Sequence, residues 1–427
     1  MGELILTPSG ARGVVGDSLT ARNALDLSIA FGRWAGGRVI IGRDTRISGP
    51  MLEAAVLAGL LSQGCEVINC GIVPTPVIIH AKNKLGVKAG IIISRSHNPP
   101  DWNGLKLMSE VSFTSREEIN EIKKYLGYCS FSKTGEVVYY DPVKDYIKDL
   151  LKFVKVRNTG IRVVLDTGAG AGRFVTPKVL EKLGCEVTLV NDELIDNDLP
   201  RNPEPVKENL SKLIELMKTG KYDIGFAHDC DADRLVIVGE DGTLYREDTG
   251  LAIIAKHEKK GKFVTNTASS LMFEEIMGRE NVIRVPVGER NLAIKMKETG
   301  GFGGEGSCGG VMFPEFNNCR DGIFAAAKIV EIMSTSGRKI NELVSELPVY
   351  YSVRKIVRGV DIKKAMEKLK SQLSDYEVVD RDVIVKGEEW FVLAHPSNTE
   401  PIIRVISEAK SMEKAEELAR DFYSKII

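Results

Sequence analysis

Residues 38–67 read RVIIGRDTRISGPMLEAAVLAGLLSQGCEV, and residues 162–187 read RVVLDTGAGAGRFVTPKVLEKLGCEV. Each opens on a short apolar run, Arg38–Gly42 and Arg162–Asp166, of the kind that forms a buried strand. A glycine-containing loop follows, then a helical stretch, Pro50–Gln63 in one and Thr176–Leu183 in the other. Glycine stops each helix. Both copies then enter the next strand on one word, Gly64-Cys65-Glu66-Val67 and Gly184-Cys185-Glu186-Val187. This recurrence implies an internal duplication. A weaker third copy runs from Lys262 to Val287, as KFVTN, SSLMFEEIM and NVIRVPV.

Strands alternating with helices predict an α/β fold with parallel or mixed sheets covered on both faces. From about Tyr350 the pattern changes. VRKIVRGV, a helix near Lys363–Leu373, YEVVDRDVIVKG, EEWFVLAHP, IIRVISEA and a final helix predict a smaller α+β domain. The expected domains are 1–153, 154–250, 251–347 and 348–427.

The chain has 427 residues, 27% of them charged, and a net charge of −1. That balance argues against nucleic acid or an anionic membrane as the main partner. MGELILTPSGARG has no basic segment followed by an apolar core, and no apolar run is long enough to span a bilayer. The seven cysteines are Cys65, Cys70, Cys129, Cys185, Cys230, Cys308 and Cys319. The count is odd and no two form C-x-x-C, so free thiols of a cytoplasmic protein are expected, not disulfides or a zinc site.

Chemistry concentrates first in Ile91–Leu107, IIISRSHNPPDWNGLKL. An apolar strand breaks into Ser94-Arg95-Ser96-His97-Asn98, and Pro99-Pro100 stops regular structure. A hydroxyl beside an imidazole at the end of a buried strand suits a nucleophile, although the same letters serve as turn chemistry.

Asp229-Cys230-Asp231-Ala232-Asp233-Arg234 is the strongest single motif. Carboxylates at alternate positions can converge on one hard cation such as Mg²⁺, a solvated acidic turn without metal being one alternative. Asp229, Asp231, Asp233 and Glu240 also match calcium-loop positions one, three, five and twelve. Arg234, however, stands where that loop needs glycine, and the flanks read as strands. The adjacent arginine suits an anionic ligand near the metal.

Ala394-His395-Pro396-Ser397-Asn398-Thr399-Glu400-Pro401 with Arg404 reads either as an anion cradle or as a polar turn. In Gly303-Gly304-Glu305-Gly306-Ser307-Cys308-Gly309-Gly310, glycines allow close approach, and Glu305 and Ser307 suit sugar hydroxyls, although taken alone the stretch reads as a flexible loop. Gly168–Gly172 invites a dinucleotide reading but fails on spacing, because Arg173 occupies the third glycine position. Asp44 with Arg43 or Arg46 is expected to be a structural ion pair. His80 and His257 are expected to be structural, and His228 to pack behind the acidic motif.

With these residues in view, the sequence resembles the α-D-phosphohexomutase family of phosphomannomutases, phosphoglucomutases and phosphoglucosamine mutases, over essentially the whole chain. Ser96-His97-Asn98-Pro99 resembles its phosphoserine loop, and Asp229–Arg234 its metal loop. Glu305-Gly306-Ser307 resembles its sugar loop, and Pro396–Pro401 its phosphate loop. Arg43-Asp44-Thr45-Arg46, Asn202-Pro203-Glu204-Pro205 and Val287-Gly288-Glu289-Arg290 add to the likeness, the last being most similar to archaeal members.

The resemblance implies four domains around a central cleft, the first three sharing one topology. It implies a phosphate carried on Ser96 beside His97, and one Mg²⁺ held by Asp229, Asp231, Asp233 and a phosphate oxygen on Ser96. Lys106 would be the acid/base, Arg12 would sit near the phosphoryl group, and Arg234 would touch substrate. Glu305 and Ser307 would bind the sugar; His395, Ser397, Asn398, Thr399 and Arg404 would bind its phosphate. A hexose 1-phosphate and its 6-phosphate (glucosamine, glucose or mannose) would interconvert through a hexose 1,6-bisphosphate, which would also serve as activator.

Four departures stand out. Ser94-Arg95 replaces the usual Thr-Ala, Cys230 a glycine, Gly309 a histidine of many bacterial members, and His395 an arginine. They leave open the sugar, the direction of flux, the oligomeric state including a homo-oligomer, and whether Ser96 is phosphorylated as isolated. A phosphopentomutase, a sugar-phosphate phosphatase and a non-catalytic sugar-phosphate-binding protein are the alternatives.

Overall fold

The sequence repeat is a repeat in space. This computed structural model describes residues 4–8, 10–128, 131, 133–259, 261–397 and 402–427. Strands β1 (Ile5–Thr7), β2 (Gly10–Val14), β3 (Arg38–Arg43), β4 (Glu66–Ile72), β5 (Ala89–Ile93), β6 (Trp102–Met108) and β7 (Glu136–Tyr139) form one sheet in the order β1-β2-β6-β5-β3-β4-β7. The second sheet holds β8 (Arg162–Asp166), β9 (Glu186–Val190), β10 (Ile224–Ala227) and β11 (Val236–Val238) in the order β11-β10-β8-β9. The third holds β12 (Phe263–Asn266), β13 (Val282–Val285), β14 (Phe302–Glu305), β15 (Gly310–Phe313) and β16 (Asn317–Arg320) in the order β13-β12-β14-β15-β16.

The common unit is now visible. In each sheet a strand pairs in parallel with the next two, and the third of these pairs antiparallel with a fourth. Helices fill the first two connections: Gly49–Ser62 and Thr75–Lys84, then Thr176–Lys182 and Ser211–Met217, then Met272–Met277 and Glu289–Thr299. The weak third copy is therefore a full one. Its third strand, β14 (FGGE), lies beyond the stretch read from the sequence and is half glycine.

The fourth domain differs. Strands β17 (Tyr351–Arg358), β18 (Glu377–Val379), β19 (Asp382–Lys386), β20 (Trp390–Pro396) and β21 (Ile402–Ala409) form an all-antiparallel sheet. Helices Ile362–Ser371 and Met412–Ile426 pack Leu369 and Phe422 against its Val357, Val383 and Val405. The fold is thus the expected α/β arrangement, with three repeated domains and a smaller antiparallel one.

Helix Gly322–Ser336, apolar on nearly every face, is buried among the first three domains. Asp321 caps it, accepting from Phe324 N at 2.9 Å, and takes the Tyr146 hydroxyl at 2.7 Å. Arg290 reaches the first domain, donating to Ser109 Oγ and Phe113 O. His80 is structural as expected, packed on Tyr146 and Phe316 and paired with Asp149 at 3.3 Å.

The fourth domain docks on the third. Ile384, Phe391 and Leu393 pack with Ala268 and Leu271. Buried Glu408 accepts from Ser270 Oγ, Leu271 N and Arg246 Nη2 at 2.9, 2.7 and 3.0 Å. Truncation would orphan those donors, at about 2 kcal/mol for buried groups. Glu408→Ala is expected to lower the temperature at which the fourth domain unfolds by calorimetry; an unchanged transition would contradict this.

Candidate active site

Three loops at one topological position meet here. Each joins the third and fourth strands of the common unit: β5 to β6 carries Ser96, β10 to β11 the aspartates, and β14 to β15 Glu305 and Ser307. Ser397, directly after β20, joins them. A cavity of about 960 Å³ is lined from all four domains, among others by Arg12, Ser96, Arg234, Glu305 and Arg404.

Ser96 was expected at the open end of a strand. It lines the cavity, yet is only 3% exposed. Its φ of +48° turns the chain sharply, and its N–H donates to Ser94 Oγ at 3.0 Å. Ser94, one of the four departures, thus braces the bend. Ser96 Oγ donates to Asp229 Oδ2 at 2.5 Å and lies 3.4 Å from His97 Nδ1. Burial, then Arg234 and Arg95, pushes His97 down to about 2, so its imidazole is neutral.

Arg46 holds this loop. Its guanidinium donates to the carbonyls of Ser96, Asn98, Pro99 and Trp102 at 3.0, 2.7, 2.6 and 3.0 Å. Asp44 pairs with it at 3.3 Å, as expected of a structural ion pair, while Arg43 instead meets Glu53.

Asp229, Asp231 and Asp233 are buried, with carboxylate oxygens within 4.8 Å of one another. Each keeps one oxygen, Oδ1, buried without a hydrogen-bond partner. Three hard oxygens left in this way fit a divalent cation such as Mg²⁺. Lys106 Nζ lies 2.5 Å from Asp231 and 3.4 Å from Asp233, and Thr75 donates to Asp231 at 2.5 Å. Burial disfavours the charge on Lys106, but the two carboxylates outweigh it and raise its pKa. Burial and its two sister carboxylates raise Asp229. On Asp233, Arg320, Lys106 and Arg234 overcome burial and lower it.

Cations crowd the cavity opposite. Burial, then Arg12, Arg46 and Arg234, pulls Arg95 down to about 9. The Nε atoms of Arg95 and Arg234 are buried without hydrogen-bond partners, and Arg234 lies 3.7 Å from Asp229. Such a field favours an oxyanion.

Sequence reasoning missed Arg320, because nothing local marks it. It donates to Asp233 at 2.6 Å, Glu289 at 2.9 Å and Glu305 at 3.0 Å, linking the Asp233 and Glu305 loops. Glu305 Oε1 also accepts from Gly288 N at 3.1 Å, so both its oxygens already have protein donors. Ser307 Oγ accepts from Asn266 Nδ2 at 3.5 Å.

The glycine-rich turn after β8 serves the metal loop. A Cβ on Gly170 would lie 2.5 Å from Cys230 O, and one on Gly172 3.0 Å from Ala232 Cβ. His228 packs behind the acidic motif as expected, bridging Thr176 Oγ1 and Arg234 O at 3.1 and 2.8 Å. Burial lowers it to about 4 and keeps it neutral. Arg201 adds a bond to His228 O at 2.7 Å and pairs with Asp166.

His395 and Arg404 face each other across β20 and β21, and both line the cavity with Ser397. Asn398 and Thr399 lie outside the described residues. Among the described residues Cys65, Cys70, Cys185, Cys230, Cys308 and Cys319 are free thiols, and no helix is long and apolar enough to cross a membrane. Cys129 is outside them.

Arg46→Ala is expected to cost about 3 kcal/mol or more, because Asp44 loses its buried partner. Activity should fall with it; wild-type stability by chemical denaturation would refute the staple. Gly170→Ala should displace the metal loop and weaken divalent-cation binding while the chain stays folded. Unchanged cation affinity by calorimetric titration would show that the turn plays no such part.

Comparison with known proteins supplies the family. The phosphoglucomutase/phosphomannomutase α/β/α domains I, II and III match residues 4–128, 144–242 and 246–351. A phosphoglucomutase/phosphomannomutase of Thermococcus kodakarensis is 38% identical over 98% of this chain and 97% of its own. A probable phosphoglucosamine mutase of Methanopyrus kandleri is 38% identical over 97% and 96%. The crystal structure of a Burkholderia thailandensis phosphoglucomutase/phosphomannomutase family protein superposes with a TM-score of 0.87 at 28% identity, covering 99% of this chain and 97% of that one. Repeat, loops and relatives agree: the chain is a phosphohexomutase, a member of the α-D-phosphohexomutase family.

Proposed function

We propose that the chain interconverts the 1- and 6-phosphates of a hexose, glucosamine, glucose or mannose, through a phosphate carried on Ser96 and a sugar bisphosphate. One observation carries this reading. Ser96 Oγ lies 2.5 Å from one of three clustered, underbonded aspartates, inside a cavity ringed by guanidinium groups.

Asp229, Asp231 and Asp233 would hold one Mg²⁺, which when bound supplies charge neutralisation at a phosphoryl group. Phosphoryl transfer needs alignment and charge compensation more than covalent activation. Arg46 fixes the Ser96 loop, and Arg12, Arg95 and Arg234 offset the phosphoryl oxygens. A sugar hydroxyl attacks the Ser96 phosphorus, the P–O bond to Ser96 breaks, and a proton passes from the sugar to the departing Oγ. Lys106, kept charged by Asp231 and Asp233, gives a proton to the departing Oγ and takes the sugar hydroxyl's proton in its place; neutral His97 steadies the hydroxyl. The bisphosphate turns over, and its other phosphate returns to Ser96. Glu305 and Ser307 hold the sugar. His395, Ser397, Asn398, Thr399 and Arg404 hold the phosphate not being transferred, which must be either one in turn, so generic anion contacts suit the task.

We also propose domain limits of 1–153, 154–250, 251–347 and 348–427, each span holding one sheet. A cytoplasmic location fits its free thiols.

The test is ³¹P NMR of the protein with Mg²⁺ and a trace of hexose 1,6-bisphosphate. The 1-phosphates of glucosamine, glucose, mannose and ribose are supplied separately. A hexose 1-phosphate signal should become a 6-phosphate signal, and Ser96→Ala should stop this with the fold intact. Substantial turnover by that variant removes Ser96 as nucleophile. Inorganic phosphate alone identifies a phosphatase, and ribose as the fastest substrate a pentomutase. Mg²⁺ should raise the unfolding temperature of the wild type, and Asp231→Asn should lose that rise.

A further inference from the structure

The cradle of the fourth domain has a histidine where the resemblance expects arginine, and the structure gives that histidine a partner. His395 Nδ1 donates to Asp382 Oδ1 at 2.6 Å. Asp382 is 3% exposed, and its other oxygen accepts from Thr267 Oγ1 of the third domain at 2.8 Å. The bond at Nδ1 fixes the tautomer and ring orientation, leaving Nε2 as the nitrogen for a ligand. His395 lines the same cavity as Ser96, beside Ser397 and Arg404.

We propose that Asp382 is a positioning residue for phosphate recognition. It sets His395 so that the Nε2–H of its imidazolium donates to the phosphate not being transferred, with the Asp382 carboxylate as counter-charge. Arginine needs no such support, since its charge and fork geometry are intrinsic. The Thr267 bond ties this pair to the domain that binds the sugar, so the cradle forms as the fourth domain docks. Docking itself has other anchors in Glu408 and in the apolar contact of Phe391 and Leu393 with Ala268 and Leu271. The inference rests on reading His395 as a phosphate contact of a mutase.

Four variants test it: Asp382→Asn, His395→Arg, the two combined, and Thr267→Val. Each is assayed for KM and kcat with the preferred hexose 1-phosphate, and for the Kd of glucose 1,6-bisphosphate by calorimetry. Asp382→Asn should raise KM and Kd about tenfold, the loss of one charge-assisted contact, with kcat within about twofold. The combined variant should recover most of that affinity, which a merely structural role for Asp382 does not predict. Thr267→Val should leave kcat intact and weaken Kd less than Asp382→Asn does. Unchanged KM and Kd in Asp382→Asn overturn the proposal. So does a combined variant as weak as Asp382→Asn alone, given wild-type-like binding by His395→Arg. Wild-type protein that binds the bisphosphate but turns over no hexose phosphate refutes the mutase reading instead; the Kd comparison then still decides the role of Asp382.

Discussion

Three carboxylates gathered in a buried space are the constraint around which the molecule is arranged. Two unit charges about 4 Å apart interact by roughly 4 kcal/mol at the effective dielectric of a protein near its surface. Asp229, Asp231 and Asp233 therefore repel one another and need positive charge. Lys106 comes from the first domain, Arg234 from the second and Arg320 from the third. The remaining strain shows in Asp229, whose burial among its sisters raises its pKa. That every Oδ1 lacks a hydrogen-bond partner, in so well connected a cluster, fits a cation site.

Around that centre the chain spends polar interactions on holding loops. Arg46 uses one guanidinium to fix four carbonyls of the Ser96 loop. His228 and Arg201 hold the backbone of the metal loop at His228 and Arg234, and Gly170 leaves room for it to lie close. Arg320 then joins the metal loop to Glu305. Phosphoryl transfer gains from such rigidity, since misalignment costs rate directly.

The repeated domain explains why loops from distant sequence meet. The loops that carry Ser96, the three aspartates and Glu305 all connect the third strand of the unit to its antiparallel fourth. Helix Gly322–Ser336, Asp321 and Arg290 lock the domains around the cleft. Duplication supplied three equivalent turns, and sequence divergence gave each its own chemistry.

Much of this was legible in the linear chain. The two GCEV copies disclosed the repeat, and D-x-D-x-D-R disclosed the metal loop, because strand alternation and ligand spacing are local properties. Other features were invisible. The third strand of the third repeat was unreadable because Gly303 and Gly304 serve a close backbone approach to Val264 and Gly310 and not a core. Arg46 looked like half of an ion pair, yet its larger task is carried by carbonyls more than fifty residues away. Arg320 and Asp382 carry no motif at all. The sequence by itself determined the repeated α/β units and the residue types of the chemistry, since periodicity and spacing act over a few residues. Only the tertiary structure decided which charges share a buried space, because compensation of a buried charge depends on distance in space and not along the chain.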